Sequence, residues 1–176
     1  MKKCAICGGP VQEIKDRPYR YDECGLPIMI YGIPQYHCLE CDEDFVSIPN
    51  QAQLHKLIGR NICRNRKALL KGAEIRFLRK SMRLKAIDLA AAMGVDPSTV
   101  SRWENDRQEI GEAHDRLLRL FYLDSIHIHE PAMDATCGAI DLFKSIPRKR
   151  KTIEKPREIT LNPQEWLVNQ PECCPA

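Results

Sequence analysis

Residues 86–103 read AIDLAAAMGVDPSTVSRW, and this stretch predicts two short helices joined by a tight turn. Leu89 and Met93 lie four residues apart, so they share one face of the first helix. Ala90 beside them is small enough to let a second helix approach closely. Gly94 follows, and glycine readily adopts the left-handed conformation that ends a helix. The first helix is therefore predicted to end at Gly94.

The second helix of this pair is predicted to begin at Asp96, whose carboxylate can accept a hydrogen bond from the first free backbone N–H groups. Pro97 fits the first helical position because that residue needs no intrahelical N–H bond. Val100 and Trp103, three residues apart, should point to the core. The pattern is typical of a helix-turn-helix, and a generic two-helix corner of an all-α domain is the alternative.

The outward face of the second helix is polar and predicts contact with DNA. Arginine can pair with guanine in the major groove, and serine or threonine can reach base edges or phosphates. The residues that we expect to contact DNA are Ser98, Thr99, Ser101, Arg102, Asn105, Arg79 and Arg107.

Two flanking helices should complete the helical domain. Their predicted core-facing residues are Ile75, Leu78 and Met82 in the preceding helix and Ala113, Leu117, Leu120 and Phe121 in the following one. The other face of the preceding helix is basic and includes Arg79. We expect these basic residues to hold phosphates without reading sequence.

Positive charge is concentrated in the middle of the chain. The whole sequence has 27 Lys and Arg against 24 Asp and Glu, but residues 49–85 have eleven basic side chains and one acidic one. Such concentration favours contact with a polyanion, and a solvated basic helix is the alternative. An apolar stripe at helical spacing runs from Leu54 to Ile62. Residues 49–68 are therefore predicted to form a basic helical linker.

Two cysteine pairs, Cys4-x-x-Cys7 and Cys38-x-x-Cys41, lie in the first part of the chain. Each pair places two thiolates on one small turn, and two such turns complete a tetrahedral shell. A segment of about 50 residues buries too little apolar surface to fold alone, and a structural metal supplies the missing stabilisation. We predict one structural Zn²⁺ per chain; iron in the same shell and four unrelated cysteines are the alternatives. His37, next to Cys38, is interpreted as supporting the site rather than binding the metal.

Several classes of function are excluded by the sequence. The longest apolar run, residues 25–34, is ten residues long and contains two prolines, so no membrane span is predicted. The first residues show no secretory signal, and nine cysteines, an odd number, then indicate reduced thiols or metal ligands. We find no nucleotide-binding glycine motif and no nucleophile elbow. We expect a soluble, non-enzymatic, cytoplasmic protein that is nucleoid-associated when bound to DNA.

Together these motifs resemble the MqsA (YgiT-type) antitoxin family over roughly the first 123 residues. The segments that carry the resemblance are Cys4-x-x-Cys7, Asp16-Arg17-Pro18-Tyr19, Cys38-x-x-Cys41, Glu74-Ile75-Arg76-Phe77-Leu78-Arg79-Lys80 and Ser101-Arg102-Trp103-Glu104. The resemblance implies an N-terminal zinc-binding domain and a C-terminal Xre-like helix-turn-helix domain. It also implies a homodimer formed through the second domain, binding to palindromic double-stranded operator DNA, and repression of the protein's own operon. In the family's type member, the zinc domain binds and neutralises an mRNA-cleaving toxin.

Individual residues carry over by position from this resemblance. The metal ligands fall on the four paired cysteines, and the two base-contacting positions fall on Ser98 and Arg102. The type member has an asparagine where this chain has the shorter Ser98, so the operator sequence does not transfer. A glutamine that is common at the start of the first motif helix in Xre-like domains is replaced by Ala86, which removes an expected phosphate contact.

The predicted fold is mainly α, with a small zinc-bound, β-containing N-terminal domain and a C-terminal Xre-like five-helix helix-turn-helix domain. The predicted segments are a zinc-binding domain at 1–48, the linker at 49–68, the DNA-binding domain at 69–123 and an extension of unassigned role at 124–176. Short strands are predicted at Val11–Ile14 and Ile28–Tyr31.

The predicted function is that of a DNA-binding transcriptional repressor, the antitoxin of a type II toxin–antitoxin system, which neutralises a toxin through its zinc domain. One alternative is a stand-alone zinc-finger/helix-turn-helix transcriptional regulator without a toxin partner. Another, from a different class, is a metalloenzyme with cysteine-bound zinc, which is disfavoured because four protein ligands leave no open coordination position.

The extension carries weaker patterns. A second metal site at residues 127–130 (HIHE) with Cys137 is disfavoured, because residues two apart on a helix point in different directions. The basic run 148–151 is interpreted as a solvated linker, with a DNA-contacting arm as the alternative. Residues 158–161 alternate like a strand, and residues 163–166 resemble a helix start.

Overall fold

A computed structural model of the chain describes residues 3–15, 17–48, 50–65, 68–129 and 157–160. Contacts divide the protein into two units. The first holds all the described strands, and the second holds the described residues from His55 to His129 together with Glu23–Leu26. In the described part of the chain, no helix combines the length and the apolar character that crossing a bilayer requires.

The first unit contains two small three-stranded sheets. The strands are β1 (Val11–Ile14), β2 (Tyr19–Tyr21), β3 (Ile28–Tyr31), β4 (Gln35–Cys38), β5 (Asp44–Val46) and β6 (Arg157–Thr160). In one sheet β4 lies between β1 and β5 and is antiparallel to both. In the other, β3 is antiparallel to β2 and parallel to β6. The structure confirms the predicted strands β1 and β3 and places β6 one residue before the predicted strand.

The core of the first unit is small. Ile28 and Ile30 alternate along β3 and are wholly buried, as is Tyr21 opposite Ile28 in β2. In the other sheet Tyr36 stacks on Phe45, with ring centroids 5.5 Å apart. A core of this size is short of what independent folding needs.

The helices are α1 (Gln51–Asn65), α2 (Gly72–Ser81), α3 (Ala86–Met93), α4 (Pro97–Glu104) and α5 (Glu112–His129). The described residues thus have the predicted small β region and five helices in all, of which four, α2 to α5, lie in or begin in the segment 69–123 that was predicted as a five-helix domain. One of the five is the helix that was predicted as a linker. The predicted helix pair corresponds to α3 and α4, with α2 and α5 beside it in sequence.

The helix α1 packs against α5. Its apolar stripe is buried, from Leu54 to Ile62. Gly59 lies so close to the Tyr122 ring that a Cβ at this glycine would overlap the phenol. The Tyr122 hydroxyl donates to the carbonyl of His55 at 3.4 Å. From His55 onward, α1 is therefore part of the second unit rather than separate from it.

The buried face of α5 differs from the predicted one. Ala113 is exposed, and Leu117, Leu120 and Phe121 are only half-buried. The buried residues of α5 are Asp115, Leu118, Arg119, Tyr122 and Leu123. The prediction was wrong because it placed only apolar residues in the core, whereas Asp115 and Arg119 form an ion pair inside the unit.

Arg119 and Asp115 are 1% exposed, and Arg119 Nε lies 2.9 Å from Asp115 Oδ2. The guanidinium also donates to the carbonyl of Cys63 at 3.2 Å and to that of Ala68 at 2.8 Å. Asp115 accepts the N–H of Leu70 at 2.7 Å. The pair thus satisfies carbonyls at the end of α1 and fixes the segment that leads to α2 onto α5.

Candidate metal centre and candidate recognition helix

Two turns of the same shape carry the four cysteines. In the first, the N–H of Cys4 donates to the carbonyl of Gly9 at 2.9 Å, and the N–H of Gly8 donates to the carbonyl of Cys4 at 3.0 Å. Cys38 and Asp42 repeat these bonds in the second turn, at 2.9 and 3.2 Å. Gly8 and Asp42 have φ values of 77° and 61°, in the left-handed region that glycine, and less often aspartate, adopts.

The four sulfur atoms converge. Cys4 Sγ lies 3.7 Å from Cys41 Sγ, and Cys7 Sγ lies 3.4 Å from Cys38 Sγ. All four atoms are within 4.8 Å of one another. Around a tetrahedral zinc with Zn–S bonds of about 2.3 Å, sulfurs are about 3.8 Å apart. The thiols therefore fit one metal ion, and they are the one such cluster among the described residues.

Backbone N–H groups in the turns favour ionised sulfur. The N–H groups of Cys7 and Ile6 lower the pKa of Cys4 to about 6, and that of Cys41 lowers the pKa of Cys38. Conversely, hydrogen bonding to Cys38 raises the pKa of Cys41 to about 12. Four thiolates at these distances repel one another, so all four ionise only with a cation between them. This donor set suits zinc or iron.

Both ring nitrogens of His37 contact carboxylates rather than the sulfur cluster. Nδ1 lies 2.9 Å from Asp44 Oδ1, and Nε2 lies 3.5 Å from Asp42 Oδ1. Arg17 donates to the other Asp44 oxygen at 2.6 Å, and this bond lowers the pKa of Asp44. These contacts hold the strand β5 beside the second cysteine turn.

The turn between α3 and α4 has the geometry that its sequence predicts. Gly94 has a φ of 66°, and the N–H of Val95 donates to the carbonyl of Ala90 at 3.0 Å. Asp96 accepts the N–H of Ser98 at 2.8 Å, and hydrogen bonds from Ser98 lower the pKa of Asp96. The turn is thus held by backbone bonds on one side and by a charged cap on the other.

Hydrogen bonds and ion pairs join the inner side of α4 to α2. Glu104 has a 7% exposed side chain and accepts hydrogen bonds from Arg79 Nε at 2.5 Å and Nη2 at 3.0 Å. Arg76 donates to the carbonyl of Glu104 at 3.1 Å. Asp106, just beyond α4, accepts the N–H of Gly72 at 2.7 Å. These contacts fix the direction in which the outer face of α4 points.

That outer face carries most of the predicted contact residues. Val100 and Trp103 are buried on the inner side. The exposed members of the predicted set are Ser98, Ser101, Arg102, Asn105 and Arg107, and Thr99 is half-buried. A short polar surface is therefore presented by a helix whose other side is locked in place.

Arg102 lies at the centre of this surface. Its Nη2 donates to Ser98 Oγ at 3.0 Å and its Nη1 to Gln108 Oε1 at 3.4 Å. Both partners are neutral, so these bonds orient the guanidinium without neutralising it. An oriented, charged guanidinium is suited to a base edge or a phosphate.

Two predicted contact residues have roles inside the fold. Arg79 is 13% exposed and, besides binding Glu104, donates to the carbonyl of Leu84 at 2.9 Å. The structure thus gives Arg79 a role different from the expected phosphate contact. Asn105 is exposed, but its Nδ2 donates to the carbonyl of Ser101 at 2.7 Å and its Oδ1 accepts from Arg76 at 2.9 Å.

Sequence reasoning missed Glu104. It follows the core residue Trp103 and was noted only as part of a motif. A usable signal existed, because Arg76 and Arg79 lie three residues apart on the preceding helix and can share one carboxylate. The buried position of Glu104 depends on how α2 and α4 cross, which no local pattern specifies.

Several predicted features lie outside the described residues. They are the side chains of His127 and His129, Glu130, Cys137, the basic run 148–151, the helix start at 163–166 and Asp16 of the family motif.

The chain matches the model of a known protein family. A family model described as the antitoxin component of bacterial toxin-antitoxin systems, MqsA, matches residues 1–127, well over half of the chain. The match spans both cysteine turns and all of α2, α3 and α4 and ends before β6. No curated protein matches the chain.

Proposed function

The chain belongs to the MqsA family of antitoxins of bacterial toxin–antitoxin systems, and from this premise we propose that it represses its own operon by binding operator DNA and neutralises a partner toxin. The single observation that carries the DNA-binding part is the exposed Arg102 on a helix fixed from behind by Glu104. We assign metal binding to residues 1–48 and DNA binding to residues 69–123, with α1 packed on the DNA-binding side.

We propose that α4 is the recognition helix of an Xre-like helix-turn-helix. Arg102 would pair with guanine O6 and N7, and Ser98 would reach a base or a phosphate beside it. Thr99, Ser101, Asn105 and Arg107 would hold the phosphates on either side. Arg79 would act only by holding Glu104, and through it the orientation of the helix.

A homodimer is part of this proposal. Two helix-turn-helix units related by a two-fold axis place their recognition helices about 34 Å apart, one turn of B-DNA. Such a dimer would read a palindromic double-stranded operator. Footprinting on the promoter of its own gene should therefore show two protected half-sites with that spacing.

We propose that Cys4, Cys7, Cys38 and Cys41 hold one structural Zn²⁺. The ion would cross-link the two cysteine turns, which lie at the same end of the β1–β4 pairing, where Val11 is opposite Cys38. Since all four ligands come from the protein, the ion would leave no coordination position for a substrate. Its part would be stabilisation of a unit with a small core.

The zinc-binding part offers an apolar surface for a toxin. Ile6, in the first cysteine turn, is 71% exposed, and Leu39, in the second, is 60% exposed. Large apolar side chains in such positions are typical of contact surfaces for another protein. We propose that these two residues contribute to the toxin contact.

DNA binding is tested by fluorescence anisotropy with the protein's own promoter fragment and a scrambled fragment of equal length. We expect at least ~10³-fold tighter binding to the promoter at physiological salt. Equal affinity for both fragments would contradict the repressor proposal.

Toxin binding is tested by co-expression with the product of the adjacent gene and co-purification of the two chains. Ile6→Asp and Leu39→Asp should release the partner, since each places a charge in an apolar contact. Ile87→Asp is the matched control, because Ile87 is 60% exposed on α3 and lies outside the cysteine turns. Retention of the partner by the first two variants would exclude this surface.

A further inference from the structure

The strand β6 comes from a part of the chain that the family match does not include. The match ends at residue 127, whereas β6 comprises Arg157–Thr160. Its partner β3, at Ile28–Tyr31, lies inside the match. The register pairs Ile28 with Arg157 and Tyr31 with Thr160. The β2–β3 hairpin thus receives its third strand from the extension.

Pairing with β6 makes β3 a central strand. On its other side β3 pairs with β2, from Tyr19 opposite Ile30 to Tyr21 opposite Ile28. Successive backbone groups of a strand point to opposite neighbours, so without β6 half of the β3 groups lose their partners. Ile28 and Ile30 are wholly buried, so this edge adjoins the core of the unit. An unpaired edge of this kind is a template for an added strand.

The strand β6 is a weak occupant of this edge. It has four residues, REIT, of which Ile159 alone is a large apolar one. Parallel pairing is slightly less stable per residue than antiparallel pairing. A strand with more β-branched or aromatic residues would pair more strongly.

We propose that the β3 edge is a strand-docking site, that Arg157–Thr160 is its built-in occupant, and that an extended strand of a protein partner binds there by displacing β6. The extension then limits access to the edge and prevents it from pairing with unrelated chains. This inference goes beyond the proposed function, because it concerns a segment outside the family match and needs neither DNA nor a metal-ligand change.

The test uses the full chain with the double substitution Glu158→Pro and Ile159→Pro. Alternate residues of β6 donate their N–H groups to β3, so one of the two adjacent residues 158 and 159 is a donor. Replacing both by proline removes that ladder hydrogen bond, whichever of the two residues makes it. The matched control places the same two prolines at Thr152 and Ile153, outside β6. Hydrogen exchange of those β3 amides that donate to β6 should rise at least ~10-fold in the first variant and stay at the wild-type rate in the control.

Docking is measured with a fluorescent peptide of residues 155–162, KPREITLN. It should bind the Glu158→Pro/Ile159→Pro variant saturably and restore protection of β3, while a scrambled peptide should not. Wild type and the control variant should bind it at least ~10-fold more weakly, because their edge is filled. Unchanged β3 exchange in the first variant, or equal peptide affinity for all three proteins, would overturn the proposal.

A second probe keeps the test valid if the variant loses its first unit. The peptide KPRVIVLN, with valine at positions 158 and 160, should displace β6 from the wild-type chain, because its strand has one more β-branched residue and two more apolar ones. Displacement is measured as resonance energy transfer from a donor dye on the peptide to an acceptor dye at the C-terminus of the chain. Absence of binding at millimolar peptide would also overturn the proposal. The probes contain neither DNA nor toxin, so failure here leaves the repressor and antitoxin proposals untouched.

Discussion

Folding costs conformational entropy, and the two units of this chain offset that cost with different interactions. The first surrounds a handful of apolar residues with strands of three or four residues and gathers four thiols at its surface turns. The second packs five helices and buries charged groups among them, with Glu104 and Arg119 at the crossings. On the proposal of a structural metal, one unit thus depends on a single bound ion, and the other on many internal contacts.

This difference predicts how each unit fails. A unit held at one point by a metal loses its fold as a whole when that point is removed. A unit held by many contacts loses stability in steps that reflect the burial of each residue. The following four predictions test this contrast, from the largest effect to the smallest.

Cys38→Ser should have the largest effect, because structural zinc contributes ~10–16 kcal/mol in small zinc peptides. We expect the strands of the first unit to unfold, while the helices keep their structure and DNA affinity. Two-dimensional NMR and metal content by atomic absorption measure this. Cys24→Ser is the control, since Cys24 is a half-buried cysteine outside the cluster. If both units unfold together, the contrast is wrong.

Arg119→Met should lower the free energy of unfolding of the second unit by ~3–5 kcal/mol, because it leaves the buried Asp115 charge without its partner. The double variant Asp115→Leu/Arg119→Met should recover part of this loss, since no unpaired charge remains. Urea denaturation followed by helical circular dichroism is the measurement. Arg116→Met, on the same helix and half-buried, should change stability by less than ~1 kcal/mol. Equal effects of the two single variants would remove the special role of the pair.

Arg102→Ala should leave stability unchanged and weaken operator binding by ~1–3 kcal/mol, about 5- to 150-fold, if Arg102 reads a base. Anisotropy titrations with operator and scrambled DNA measure the effect. Arg116→Ala, on α5, controls for the loss of one positive charge. An unchanged operator affinity would remove α4 from the role of recognition helix.

Asp96→Ala should have the smallest effect and a defined pH dependence. Hydrogen bonds from Ser98 lower the folded-state pKa of Asp96 below the unfolded value of about 3.9. Stability from a lowered pKa is fully present above the unfolded value and is lost as pH falls through the folded value. The variant should therefore be less stable than wild type at pH 7, and the two should converge below about pH 4.

Thermal melts from pH 7 to pH 3 measure this convergence. Asp124→Ala, which removes an exposed carboxylate on α5, is the control for the change in net charge. A constant gap between wild type and Asp96→Ala across this range would mean that the cap acts without its charge.

The sequence predicted those elements whose ends are specified locally. Gly94, Asp96 and Pro97 fixed the end of α3 and the start of α4, because a left-handed turn, a capping carboxylate and a locked φ act within a few residues. The two thiols of each pair were predictable for the same reason, since each pair is one turn, and the meeting of the two turns was predictable from the four ligands that a tetrahedral metal needs. Strand β3 was found because its apolar run is continuous.

Features that depend on long-range packing were missed. β2, β4 and β5 are short and polar, so no apolar pattern marks them, and β4 also pairs with β1, more than 20 residues earlier in the chain. The face of α5 was misassigned because only apolar residues were placed in the core, whereas Asp115 and Arg119 are buried there as an ion pair. Their burial follows from the unsatisfied carbonyls at the end of α1, which only the folded arrangement brings to Arg119.

The contact between Gly59 and Tyr122 has a consequence for how these two positions vary among members of the family. Any side chain at position 59 would occupy the space of the phenol, so the two positions cannot change independently. Relatives with alanine or serine at position 59 should carry a smaller residue at position 122. Such covariation would identify those members in which the basic helix has become part of the helical core.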